Sequence, residues 1–258
     1  MKTIVINNQK GGVGKTMLAT HLIWDLAEQG FRVLAVDLDG QGNTTKVLAG
    51  ERQVGFAADL FQEGAKMPTT AEPGISVMGK DDRLESVKSA GIGPMVRNIA
   101  QHFSALDDVF DYCVFDTPPA WDERNFAAMT VCDHLLAPIE VKAFALDGIG
   151  TLLQSIRAVE ERGRKGRPIN FLGLIASRFN SHDEGEKSDL RTVVEKVGIK
   201  MMFPGVITQR RGYEQAMRDR VPVWTIKTSG AKVAGAEIRA ILSTVRDRIG
   251  ATNSKKDA

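Results

Sequence analysis

Near the start of the chain, Lys10-Gly11-Gly12-Val13-Gly14-Lys15-Thr16 combines glycines, two lysines and a hydroxyl. Glycines let a backbone curl so that successive N–H groups point at phosphate oxygens. A lysine followed by a hydroxyl residue then supplies a charge for the β- and γ-phosphates and an oxygen for Mg²⁺. Lys15 and Thr16 stand in those two places, and Gly11, Gly12, Val13 and Gly14 form the cradle. The chemistry expected of such a loop is to hold MgATP. Its setting supports this. The apolar run Ile4-Val5-Ile6 precedes it, and a helical pattern follows, with Leu18, Leu22, Leu26, Ala19 and Ile23 on one face up to Gly30. A helix that starts at the loop adds its positive N-terminal end to the anion site. One departure from the general pattern is informative. The first glycine of G-x-x-x-x-G-K-[ST] would fall at position 9, where Gln9 stands, and a second lysine, Lys10, lies inside the loop.

The loop needs a scaffold, and the rest of the chain reads as one. Apolar runs at 33–37, 75–78, 112–116, 135–139 and 171–176 read as strands, and helical patterns fill the gaps, notably at 147–162, 186–197 and 234–249. Near-continuous apolar strands separated by helices predict an α/β fold, a mostly parallel twisted sheet covered on both faces, with right-handed crossovers. Residues 163–168 read as a basic surface loop. No linker interrupts the pattern, so residues 1–250 are expected to form one P-loop domain and 251–258 a polar tail.

Composition limits the function classes. The 258 residues are 43% hydrophobic and 26% charged, ordinary for a globular protein. Two cysteines make no disulfide framework, which points to a cytoplasmic home. No apolar run reaches the roughly 18 residues of a membrane span, and the first residues are too short in apolar length for a secretory leader. The net charge of +2 hides an asymmetry. Residues 1–150 hold 13 Lys/Arg against 20 Asp/Glu, and residues 151–258 hold 21 against 12. An acidic catalytic half and a basic half that faces a polyanion is the functional reading; segregated solvated charge is the plain one.

Lys10 to Thr16, KGGVGKT, resembles the deviant Walker A loop of the ParA/MinD family of partition and cargo-positioning ATPases. Asp37-Leu38-Asp39-Gly40-Gln41-Gly42-Asn43 resembles its switch I segment, with Gly40 where proline is common, a change expected to loosen that loop. Val114-Phe115-Asp116-Thr117-Pro118-Pro119 resembles its Walker B and switch II segment, and residues 138–148 the strand and helix start that follow. These landmarks cover about residues 1–150; the remainder matches more weakly. The resemblance is to the short members, because no helix-turn-helix unit precedes the loop.

What the resemblance implies is specific. ATP and Mg²⁺ are the expected ligands. Asp116, at the end of an apolar strand, is placed to hold Mg²⁺ through a water, and Asp37 to support the metal or the loop. Asp39 orients the attacking water. Lys10 reaches across a homodimer to the partner's ATP, a cation supplied in trans, and Gly11 lets the two loops approach. The adenine is expected near Phe203-Pro204-Gly205 and Thr208-Gln209. Double-stranded DNA would be bound without sequence preference, with Arg178, Arg210, Arg211, Lys227 and Lys232 as candidates and the nucleoid as location. A ParB-like or cargo-adaptor protein would stimulate hydrolysis, and Trp121 could meet a partner.

Three rival functions are weaker. An iron–sulfur reductase would present cysteines on loops, whereas Cys113 lies in an apolar strand and Cys132 at a strand start. A MinD-like membrane-cycling ATPase would need an amphipathic tail. Ile238, Ile241, Leu242, Val245 and Ile249 have helical spacing but read better as a core helix, so a membrane anchor is not expected. A metabolic P-loop enzyme would need a convergent substrate constellation, and the scattered His21, His102, His134 and His182 give none.

Overall fold

The structure is a computed structural model, and it describes residues 1–142 and 145–251. The expected tail at 251–258 therefore falls, Ala251 apart, outside the described residues. Eight strands form one sheet: β1 (Lys2–Ile6), β2 (Arg32–Asp37), β3 (Arg52–Phe56), β4 (Gly74–Gly79), β5 (Tyr112–Asp116), β6 (His134–Ile139), β7 (Asn170–Phe179) and β8 (Met202–Thr208). Around them lie α1 (Lys15–Glu28), α2 (Asn43–Val47), α3 (Arg83–Ser86), α4 (Ile92–Leu106), α5 (Glu123–Thr130), α6 (Ala145–Arg162), α7 (Glu184–Val197), α8 (Arg211–Asp219) and α9 (Ser229–Ile249). The strand order is β3-β4-β2-β5-β1-β6-β7-β8, and the pairings are parallel.

This order creates the site. The chain runs from β1 to one side of the sheet and returns to β5, then crosses to β6 on the other side, so the strand order reverses at β1. In open α/β sheets ligands bind at such a switch point, outside the carboxyl ends of the strands. Register makes the point concrete: Ile6 of β1 pairs with Asp116 of β5, and Asp116 with Asp37 of β2. Three strand ends thus deliver the glycine loop and two carboxylates to one level.

Both sheet faces are covered, which is why the central strands read as unbroken apolar runs. Ile4 and Ile6 point to one face with Leu18, Leu22 and Leu26 of α1 and Ile238, Leu242 and Val245 of α9. Val5 points to the other, with Met95 and Ile99 of α4 and Ile149 and Leu152 of α6. Each fully buried aliphatic side chain contributes up to about 1.5–3 kcal/mol relative to exposure. Ile238, Ile241, Leu242, Val245 and Ile249 of α9 are all in this core, as expected of a core helix, and no described helix is long and apolar enough to cross a membrane.

Helix α1 is fixed from behind by its histidine. His21 is fully buried; its Nδ1–H donates to Met17 O at 2.7 Å, and its Nε2 accepts the Val223 N–H at 3.3 Å. Trp24, Tyr213 and Trp224 meet its ring edge-to-face. Burial pushes the imidazole down to about 4, so the ring is neutral and this tautomer is the one both contacts require.

Two expectations need correction. The stretch 163–168 is not simply a basic surface loop: Arg164 is buried, and its guanidinium donates to the carbonyls of Met129, Thr130 and Cys132, closing the end of α5. The positive balance after residue 150 is also partly spent inside the protein. Arg239 and Arg246 pair with the buried Asp25 of α1, Arg239 also with Glu28, and Arg248 donates to Leu172 O.

Candidate functional site

The loop between β1 and α1 curls where the glycines permit it. Gly12 and Gly14 adopt φ of 76° and 91°, and α1 begins at Lys15. The loop is tied down on both sides: Asn8 Nδ2 donates to Pro138 O at 2.7 Å, and Gln9 Nε2 to Ser155 Oγ at 2.8 Å. Thr117 Oγ1 donates to Ile6 O at 2.8 Å, locking the end of β5 to β1. Val13 is buried beneath the loop, and Gly11 faces Pro119 of the segment after β5.

A cavity of about 680 Å³ opens over the loop, lined by Lys15, Thr16, Asp39 and Lys46 among others. Lys15 is 6% exposed, and its Nζ donates to Lys10 O at 3.0 Å. Burial lowers its pKa, while Asp116 and Asp39 pull the other way. A phosphate would supply the counter-charge that burial withholds.

Beneath Lys15, Thr16 Oγ1 and Thr44 Oγ1 both donate to Asp116 Oδ2, at 2.8 and 2.9 Å. Asp116 Oδ1 is buried with no hydrogen-bond partner among the described residues. Burial first, and Asp37 second, push the Asp116 carboxyl upward. An orphaned carboxylate oxygen beside a threonine hydroxyl is a hard, all-oxygen donor set that fits Mg²⁺. No group of three His, Cys, Asp or Glu side chains among the described residues could hold a metal alone, and a Mg²⁺ site of this kind is ordinarily shared with nucleotide phosphates and water.

Asp37, for which metal and loop roles are both open, has both carboxylate oxygens bonded to the loop in this structure. Its Oδ2 accepts from the Thr45 N–H and Oγ1, each at 2.7 Å, and its Oδ1 from the Asp39 N–H at 3.1 Å. Its own carboxyl is raised, mainly by burial. Asp39 lines the cavity with Oδ1 accepting the Gln41 N–H at 3.0 Å. Lys10 stands apart from Lys15: its side chain is 55% exposed, and its Nζ sits 2.8 Å from Glu140 Oε2.

The expected DNA residues do not form one group. Arg178 belongs to the loop, with Nη1 donating to Gly12 O at 3.0 Å. Arg210 is half-buried and faces Glu237 at 3.7 Å. That carboxylate also accepts from Thr208 and Tyr213. Arg211, Lys227 and Lys232 are exposed, and no ion pair among the described residues holds them.

The adenine expectation divides in the same way. Thr208 and Gln209 line a slot of about 400 Å³ next to the loop, with Met17, Ile207 and Tyr213. Phe203, Pro204 and Gly205 line a different cavity, beside Leu190, Val194 and Arg248. Trp121 is half-buried against the core and borders a groove with Ile92, Val96 and Phe126. Cys113 in β5 and Cys132 in the turn before β6 are both fully buried in the core, not presented at the surface. Lys46, Arg218 and Arg220 also line the main cavity, and sequence reasoning alone does not find them. The two arginines have no signal beyond being charged residues at a helix end.

A glycine loop joining a parallel strand to a helix, with Lys15, Thr16 and a strand-end Asp116 beneath it, defines a P-loop nucleoside triphosphatase. The family described as an AAA domain matches residues 1–167. Protein IncC from Escherichia coli is 32% identical over 260 residues, covering 95% of this chain and 69% of that protein. The chromosome partitioning protein ParA of Caulobacter vibrioides is 27% identical, covering 96% of each. Among solved structures, an ATP complex of Cyanothece McdA superposes with a TM-score of 0.81 at 22% identity, covering 98% of this chain and 97% of that one. The chain belongs to the ParA/MinD family of P-loop ATPases.

Proposed function

We propose that this protein is a ParA-type switch. It binds MgATP, closes into an ATP-sandwich homodimer, binds double-stranded DNA without sequence preference, and hydrolyses ATP when a cargo-bound partner engages it. The cargo is a DNA element or a protein assembly, and the place of action is the nucleoid in the cytoplasm. The observation that carries this reading is the separation of the two lysines of one loop. Lys15 is buried in the cavity, while Lys10 is on the surface, paired with Glu140. A phosphate site needing only cis charge would have no use for a second cation turned outward; a shared site between two copies would.

Each residue then has a task. Lys15 neutralises the β- and γ-phosphates, and the loop N–H groups cradle them. Thr16 and Asp116 hold Mg²⁺, which supplies charge neutralisation at the phosphate oxygens. Asp39 accepts a hydrogen bond from the attacking water and sets its line of approach. The slot beside Thr208 and Gln209 takes the base.

Sedimentation of the full chain with ADP or ATP, each with Mg²⁺, tests the switch, followed by addition of unrelated duplexes. A dimer with ATP alone, and duplex binding by that species alone, are the expected results. A monomer in both nucleotides at all protein concentrations would sink the reading.

A further inference from the structure

Among the described residues, three other than glycine have positive φ: Lys165, Arg178 and Arg220. Arg220 caps the C-terminal end of α8 at φ 59°, ψ 42°. A helix end in this left-handed conformation favours glycine, because a Cβ there crowds the backbone. The position carries an arginine instead, and no side-chain contact among the described residues holds it there. Its side chain is exposed and enters no hydrogen bond or ion pair among the described residues, and the same holds for Arg218. Both line the main cavity, facing Lys15, Asp39 and Lys46. The lining of that cavity therefore holds four cations against the single carboxylate of Asp39. Strained backbone retained at a cavity points to a ligand contact.

We infer that Arg220, with Arg218 beside it, is a nucleotide-positioning cation that closes on the sugar–phosphate part of ATP from the side opposite the glycine loop. The inference rests on the cavity being the ATP site. Two features place the contact on the phosphate end rather than the base. The slot that suits a base is bordered by Tyr213, Met217 and Gln209 and not by Arg218 or Arg220. The residues sharing a cavity with the two arginines are those of the phosphate loop and of the Asp39 segment. A guanidinium matches phosphate oxygens in a planar fork, which a lysine cannot reproduce.

The plain alternative is that Arg220 serves the helix, since a cation at a helix C-terminus is favourable by itself. The two readings separate under one substitution. In Arg220→Gly the backbone relaxes and the cation is removed. If Arg220 serves the nucleotide, this variant melts about 2–4 °C higher without nucleotide yet binds MgATP about tenfold more weakly. Titration calorimetry on the full chain with AMP, ADP and ATP, alongside Arg220→Lys, Arg218→Ala and Lys15→Ala, reads this directly. The weakening in Arg220→Gly should grow from AMP to ATP, and Arg220→Lys should fall between wild type and glycine. Lower melting together with weaker binding would make the residue structural and overturn the inference. Wild-type ATP affinity in Arg220→Gly, with binding abolished in Lys15→Ala, would overturn it too and leave the ATP site standing. An unchanged ATP affinity with weaker duplex binding would assign the pair to DNA and likewise overturn it. Failure of the wild-type chain to bind nucleotide would remove the ATP site itself.

Discussion

Gly40 and Glu85 occupy each other's space: a Cβ added to Gly40 would overlap Glu85 Oε1. That oxygen accepts from Arg124 Nη1 at 2.9 Å, and Arg124 in turn is held by Asp122 at 2.6 Å. One buried guanidinium thus ties α3 to the segment after β5, and the loop at Gly40 packs against that pair. Glycine at position 40, where proline is common in the family, is expected from sequence to loosen the loop. The structure adds a second consequence of the glycine, since the missing side chain leaves room for Glu85 where it pairs with Arg124.

Gly40→Pro should therefore displace Glu85 and leave Arg124 with one carboxylate partner. A destabilisation of about 1 kcal/mol is expected, kept small because Glu85 is itself half-exposed. Combining Gly40→Pro with Glu85→Ala should cost less than the sum of the two, because the overlap vanishes with the side chain. Chemical denaturation of the four proteins checks it. Strict additivity would show that the two positions do not interact.

How much of this is legible in the sequence follows burial. Tyr112 to Asp116 is buried on both faces, and its apolar run announces β5 with the correct ends. The β3 strand escapes a sequence reading because it is an edge strand, mostly exposed, with neither alternation nor a continuous apolar run. The other edge strand, β8, carries Pro204, which argues against a strand. Within the site, the glycine loop is readable because its chemistry is local. The adjacent Arg210 and Arg211 differ only because Glu237, far along the chain, folds against the first. No local pattern encodes that, nor the placing of Arg218 and Arg220 over the phosphate loop.

Three substitutions divide binding, dimerisation and hydrolysis. Lys15→Ala should abolish measurable MgATP binding, because it removes the charge-assisted hydrogen bond to the phosphates and leaves Asp116 beneath the site without its cation. Asp39→Ala should bind ATP, accumulate as a dimer and turn over at least about a hundredfold more slowly, the scale expected when a water-positioning group is removed. Lys10→Ala should keep ATP binding and lose the dimer if, as proposed, the cation now paired with Glu140 serves the partner's phosphates. Chromatography with MgATP and a phosphate-release assay separate the three. Normal turnover by a monomeric Asp39→Ala would reduce Asp39 to a loop residue.

The buried His21 sets an acid limit on stability. Its folded pKa is about 4, below the ordinary 6.5, with desolvation as the cause. The unfolded chain therefore takes up a proton between these values while the folded chain does not. Stability is fully present above pH 6.5 and falls as pH drops toward 4, by on the order of 3 kcal/mol from this group. Protonation would also turn Nε2 into a donor facing the Val223 N–H. In His21→Phe the fall between about pH 6.5 and 5 should flatten, even though the variant starts less stable for want of the Met17 and Val223 hydrogen bonds. Melting curves across that range decide it; an unchanged slope in the variant would mean that other groups control the acid limit.

The cations proposed to face DNA can be told apart by what already holds them. A guanidinium paired inside the protein gives up that pair to reach a phosphate; a free one does not. Arg210 is engaged by Glu237 and Arg178 by the Gly12 carbonyl, whereas Arg211, Lys227 and Lys232 are exposed and unpaired among the described residues. Arg211 opens α8, and Lys232 lies in the first turn of α9, which packs against it. Gly212 packs directly against Ala231, so Arg211 and Lys232 occupy neighbouring positions where the helices meet, and a dimer would present the set twice. Arg211→Glu with Lys232→Glu should weaken duplex binding about equally for unrelated sequences and lower the salt slope by about one unit for every phosphate no longer neutralised. ATP-dependent dimerisation should survive. Arg210→Ala should disturb the Thr208 segment more than DNA affinity, because it frees Glu237, the carboxylate that holds Thr208 and Tyr213 in the slot's lining. Binding isotherms at several salt concentrations, each with MgATP, measure all of this. If the double reversal leaves both affinity and slope unchanged, the polyanion meets another face, and the exposed cations between α8 and α9 are there for a protein partner with an acidic surface.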